Sequence, residues 1–287
     1  MKKCYLLIAS FLLLFICAPN FVNAQDYVND LGVVIPEEDY NNLKLLYTEA
    51  HIAVLDQNKY DQIKSMNLDY DSVQVQNKYV KTEINNVTGE VTETEISKEE
   101  YETVSPNYLT RATLIGTSYK QLSLGFSRTS DSAHTAFFTL NAIWKIMPVV
   151  RSFDVIGVRL SNLSVINGTQ QGQQIYKIND GSYQWVQYNF NGTNIQNHSN
   201  GFGISMNLLN DTSLTYLECT IDANMSINAY PAAVFGSYQH AIENVSLATS
   251  QSYTIGAGGL GSVFIFPNDT IRLKYDGMNG VYDYISS

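Results

Sequence analysis

Ala136-Phe137-Phe138-Thr139-Leu140-Asn141-Ala142-Ile143-Trp144 is the stretch that decides the fold. Ala136, Phe138, Leu140, Ala142 and Trp144 fall on one line with a period of two, the pattern of a strand with one buried face. Pro148 closes the run, since proline cannot donate to a ladder. Upstream, Leu122, Leu124 and Phe126 repeat the period. Downstream, Ile156, Val158 and Leu160 repeat it with Arg159 between two of them, and Leu217, Cys219 and Ile221 share a further face. Ile271, Leu273 and Tyr275 read as another, with Arg272 and Lys274 opposite. Ile175 to Ile178 and Tyr183 to Phe190 flank Asn179-Asp180-Gly181-Ser182, a hairpin turn. No long helical period occurs after residue 106. The expected fold is mainly β: an antiparallel β-sandwich or jelly-roll-like domain over residues 106–287.

Two segments are expected to precede it. Residues 36–66 read as two short helices. Pro36 suits a first helical position, and Glu37, Glu38 and Asp39 suit the positive end of the helix dipole. Tyr40, Leu43 and Tyr47 share a face, and Asp56 caps the second helix. Residues 70–105 then alternate as an acidic hairpin or linker around Asn85 to Gly89. Glu83 to Glu102 holds seven acids against Lys98 alone, so this segment reads as solvated. Residues 25–105 are accordingly a helical arm and acidic hairpin ahead of the sandwich.

The first 24 residues have the organisation of a secretory signal peptide. Lys2 and Lys3 open it, Tyr5 to Ile16 is apolar, and Val22-Asn23-Ala24 offers small residues before a cut at Gln25. Cys17 follows Leu14, but Ile16 stands where a lipid-attachment motif needs a small residue. Two of the three cysteines lie in this leader, leaving Cys219 alone, so the core and not a disulfide must hold the mature chain together. The net charge of −10 becomes about −12 once the leader leaves, which repels phosphate backbones. Nucleic acid is not an expected partner, and no apolar run after Ala24 is long enough to span a membrane.

Candidate chemistry thins out on inspection. Gly256 to Gly261 matches a dinucleotide-binding glycine pattern, but Ser262 to Phe266 after it reads as a strand, where the mechanism needs a helix. Cys219 falls on an apolar face, which favours a core residue. His51, His134, His198 and His240 have no metal-ligand spacing, so no metal and no cofactor is expected. Asn179-Asp180-Gly181 and Asn268-Asp269-Thr270 are oxygen-rich, yet turn chemistry explains both. Glu218, Asp222 and Glu243 remain as carboxylates without a visible pairing. The best site expectation is aromatic. Tyr183 and Trp185 alternate away from Val186, Tyr188 and Phe190. If the second set faces the core, the first faces outward as a ligand-binding platform.

Trp144 to Arg159 (WKIMPVVRSFDVIGVR) and Ile35 to Leu43 (IPEEDYNNL) resemble segments of uncharacterised secreted proteins of Gram-positive bacteria. The resemblance implies an extracellular location and a β fold, and brings no activity with it.

The functional expectation is a secreted or cell-surface-associated, non-catalytic binding protein, whose partner is a glycan or a surface protein. A membrane-acting pore former, using Gly203 to Leu209 and Ser213 to Asn224 as barrel strands, is an alternative. An extracellular hydrolase acting on a polymer is a second.

Overall fold

The computed structural model describes residues 26–85, 87–104, 115–130, 132–179, 181–256, 263–276 and 280–286. The leader and most of the glycine pattern lie outside these, as do Asn86 and Asp180. In chain order the elements are β1 (Tyr27–Val28), β2 (Val34–Ile35), α1 (Glu37–Leu43), α2 (Glu49–Ala53), α3 (Gln57–Ser65), β3 (Gln74–Asn85), β4 (Val91–Ile96), α4 (Lys98–Thr103), β5 (Ile115–Thr129) and β6 (Ser132–Ile146). There follow β7 (Phe153–Ser161), β8 (Leu163–Val165), β9 (Gln171–Ile178), β10 (Gln184–Asn189), β11 (Ile195–His198), β12 (Gly201–Asn207), β13 (Leu214–Ile227) and β14 (Ala232–Gln239). The chain closes with α5 (Leu247–Ser250), β15 (Thr254–Ile255), β16 (Phe264–Ile265), α6 (Asp269–Arg272) and β17 (Val281–Ile285).

Most strands form two antiparallel sheets, while β1-β2 and β15-β16 pair separately. The larger runs β10-β9-β13-β6-β5-β3-β4, with β8 also on β13; the smaller runs β11-β12-β7-β14-β17. Their inner faces meet in one core. Phe138, Leu140 and Trp144 of β6 and Leu217, Cys219 and Ile221 of β13 face Ile156 and Val158 of β7, Phe202 and Ile204 of β12 and Val234 of β14. The period-two lines of the sequence are therefore the inner faces of a sandwich. Cys219 is fully buried, and burial pushes its thiol well above the ordinary range.

Three expectations are corrected. The acidic hairpin is woven into the sandwich: β3 pairs β5 from Gln74↔Phe126 to Asn85↔Ile115, and only β4 is left as the edge. Two expected helices are three, and Pro36 stands at the N-cap position just outside α1, with ψ 146° and no side-chain capping bond, and not at the first helical position. Asp56 caps α3 as expected, accepting from the Lys59 amide at 2.8 Å. The strand read at 271–275 is α6 and its exit. The Asn268 side chain accepts from the Ile271 amide at 3.0 Å, so a local cap overrides the alternation, and Leu273 is exposed.

The outer faces are covered too. The N-terminal helices sit on the outer face of the large sheet, where Leu43, Leu46, Tyr47, Leu55, Tyr60 and Ile63 pack with Phe137. Gly125 permits this approach, since a Cβ there would lie 2.9 Å from the Leu46 side chain. Residues 241–256 and 263–276 cover the small sheet, with Tyr253, Val263, Phe264 and Tyr275 against Val155.

Candidate binding cleft

Polar contacts dock the helical layer. The backbone carbonyl of Leu46 accepts from Thr139 Oγ1 at 2.8 Å and Asn141 Nδ2 at 3.3 Å. Thr48 caps α2, its oxygen accepting from the His51 amide at 3.0 Å while its hydroxyl donates to Glu218 at 2.7 Å. Glu218 is fully buried and also accepts from Tyr216 at 2.5 Å and Thr220 at 2.7 Å. Burial pushes its carboxyl upward, against the pull of these three bonds. Two turns further, Lys59 Nζ of α3 meets Asp222 Oδ1 of β13 at 2.8 Å, with both side chains largely buried.

Beside this ion pair the helices stop short of the sheet edge. A cleft of about 270 Å³ opens between α2–α3 and the outer face of β9 and β10. Its floor is Lys59 and Asp222, and its walls include Gln171, Gln173, Gln187 and Asn189 on the sheet and Asn58 and Gln62 on α3. Trp185 stands in it, paired across the strands with Ile175, and is 37% exposed. Gln173 Nε2 donates to Gln187 Oε1 at 2.8 Å, while Gln173 Oε1 is buried with no hydrogen bond of its own. His51, also in the wall, has a buried Nδ1 without a partner.

The strands flanking the expected turn pair antiparallel, from Tyr176↔Gln184 to Gln171↔Asn189. Asn179 takes a positive φ of 53° and Gly181 N donates to Ile178 O at 3.2 Å, while Asp180 lies outside the described residues. Tyr183 and Trp185 both lie on the outer face. They differ in setting, because Tyr183 packs edge-on against Tyr216 at 5.3 Å and lies under Lys177 Nζ at 3.7 Å. Of the other set, Tyr188 enters the core, whereas Val186 and Phe190, expected there, are exposed. β10 is an edge strand of the larger sheet, and Phe190 lies just past its end.

The loose carboxylates do not assemble. Glu218 is consumed by the helix cap, Asp222 by Lys59, and Glu243 is an exposed partner of Lys274. Asp211 accepts from the Ser213 amide at 2.7 Å, as a turn residue. Gly203 to Leu209 and Ser213 to Asn224, the expected rearranging segments, contribute β12 and β13, each hydrogen-bonded on both sides. Among the described residues no group of three or more His, Cys, Asp or Glu side chains could hold a metal ion. Nor is any described helix long and apolar enough to cross a membrane.

His240 is buried and satisfied, its Nδ1 2.9 Å from Asp154 Oδ2. His51 is buried and is not. Burial, reinforced by the nearby Lys59 charge, pushes its imidazole down to about 3. The folded state therefore takes no proton at His51 between about pH 6.5 and pH 3, where the unfolded chain does, and stability falls as pH drops through that window. The raised carboxyls of Glu218 and Asp222 act with the opposite sign, gaining stability as pH falls through their folded-state range. His51→Gln isolates the first effect. By pH 4 the wild-type chain should lose about 3 kcal/mol more than the variant, relative to pH 7, in urea melts.

No family model matches this chain, and no curated protein matches it. Among the solved structures that align with it are two pneumococcal proteins. The pilus backbone RrgB from Streptococcus pneumoniae aligns at 10% identity with a TM-score of 0.24, over 38% of this chain and 25% of that one. The KRT10-binding region domain of the pneumococcal serine rich repeat protein PsrP aligns at 11% identity with a TM-score of 0.31, over 75% of this chain and 99% of that one. The chain thus spans a quarter of the length of the pilus backbone. Superpositions this loose establish no shared fold, and nothing is carried over from them.

Proposed function

We propose that this chain is a secreted or cell-surface-associated binding protein without catalytic function, and that its ligand is a neutral glycan held in the cleft at Trp185. One observation carries the reading: a partly exposed indole stands in a recess walled by amide side chains. An indole face stacks on a sugar ring, and amides offer donors and acceptors together, which matches hydroxyl groups. Among the described lining residues the ammonium of Lys59 is neutralised by Asp222, and Asp56 adds a carboxylate at the rim, so the recess has no unpaired cation to select an anion. Tyr183 contributes as the buttressed margin of the platform. The secreted location rests on the leader-like first 24 residues.

A glycan array probed with the mature chain and with Trp185→Ala tests this. Wild type should be retained on neutral glycans, and the variant should lose roughly thirtyfold or more in affinity. Its stability should change by about 1 kcal/mol or less, as for a surface position. Equal binding by both proteins would remove Trp185 from the site. A variant several kcal/mol less stable would make Trp185 a core residue and end the platform reading.

A further inference from the structure

Lys120 breaks the alternation of its strand. It shares the inward line of β5 with Leu122, Leu124 and Phe126, and its side chain is 1% exposed. Its Nζ lies 5.3 Å from the centre of the Trp144 ring and 5.9 Å from that of Tyr238. Asp276, just ahead of β17, is also buried, and its Oδ2 is in direct contact with Lys120 Nζ. Its other oxygen accepts from the His240 amide at 2.8 Å, which holds the carboxyl in place. A third group completes the cluster. Glu93 of β4 reaches inward, with Oε1 buried, without a hydrogen bond and 3.5 Å from the same Nζ.

As an ion cluster this arrangement is costly. One ammonium and two carboxylates share a site walled by aromatic rings, and desolvation of buried ions commonly outweighs their attraction. A covalent bond would remove two of the three charges. We propose that Lys120 and Asp276 are joined by an intramolecular amide bond, formed in the folded chain with Glu93 as the proton carrier.

The step balances without a cofactor or an oxidant. One proton moves from the Lys120 ammonium to the Asp276 carboxylate, giving an amine and a carboxylic acid. The Nζ lone pair attacks Asp276 Cγ, and Glu93 takes the second proton from nitrogen as the Nζ–Cγ bond forms. Glu93 returns that proton to the leaving oxygen, the Cγ–O bond breaks, and water departs. Ammonium plus carboxylate has become amide plus water, and Glu93 ends as it began. Fixed proximity of amine and carboxyl supplies the rate. Exclusion of bulk water disfavours the reverse hydrolysis. Burial, with the Asp276 charge beside it, raises the Glu93 carboxyl above its usual range, as suits a group that must hold a proton in passing. The bond would tie β5 of the large sheet to the segment entering β17 of the small one, 156 residues apart in sequence.

Intact mass spectrometry of the purified, denatured mature chain tests the proposal. The expected mass is about 18 Da below the sequence mass, and a digest should yield one branched peptide joining Lys120 to Asp276. The branched peptide also separates this loss from cyclisation of an N-terminal glutamine. Glu93→Gln, which keeps the shape of the side chain, should show the full mass and no branched peptide, and so should Lys120→Arg. A wild-type chain at its full sequence mass, with linear peptides at both positions, overturns the proposal whatever the variants do. A wild-type bond that forms equally in Glu93→Gln overturns the role of Glu93.

Discussion

Phe138→Ala should cost about 3–5 kcal/mol of folding stability, a large share of the roughly 5–15 kcal/mol a domain of this kind has. Phe138 is fully buried in β6, and its ring centre lies 6.0 Å from that of Phe202 in β12. The pair spans the two sheets. Removing one ring takes away its transfer free energy and leaves a cavity that neither hydrogen-bonded strand can move to fill. Phe190→Ala is the matched control. That ring is 43% exposed, and its loss should cost about 1 kcal/mol or less. Paired urea melts give both numbers. Equal losses would mean that the two sheets do not pack as described.

Lys59→Ala should be comparably severe, for an electrostatic reason. It leaves the Asp222 carboxylate 5% exposed beneath α3 with its cation removed, and breaking a buried pair on one side typically costs about 3–5 kcal/mol. The damage should be local at first, freeing α3 from β13 and opening the cleft floor. Replacing both partners by apolar residues of similar size should recover most of the loss, because no buried charge then remains. A double-mutant cycle on urea melts measures this. A single variant as stable as the parent would show that the pair is solvated and the helical layer loose.

Much of this architecture is written in the chain as alternation. The inward lines of β5, β6, β7 and β13 are the apolar lines of the sequence, and the turn at Asn179 sets the faces of Trp185 and Tyr188. Two features are not written there. Thr139, Asn141, Glu218 and Thr220 alternate as a solvent face should, yet all are buried, because a helical layer covers them with hydroxyls and backbone carbonyls as partners. Phe137, an aromatic on that polar line, was the one local hint of a cover. Glu93 lay hidden within an acidic run whose other members read correctly as solvated. Only the pairing of β3 with β5 turns it inward. The edge position of β10, on which Val186 is exposed, depends on the order of strands in the sheet, and no single strand encodes that.

The cleft between α3 and the edge of the large sheet is the proposed binding site, and hydrogen–deuterium exchange on the mature chain tests it most directly. The array-selected glycan should slow exchange in residues 57–62 and 184–189 together, and Trp185→Ala should abolish that protection. Protection confined to the opposite side of the sandwich, over residues 241–256 and 263–276, would place the binding surface elsewhere and contradict it.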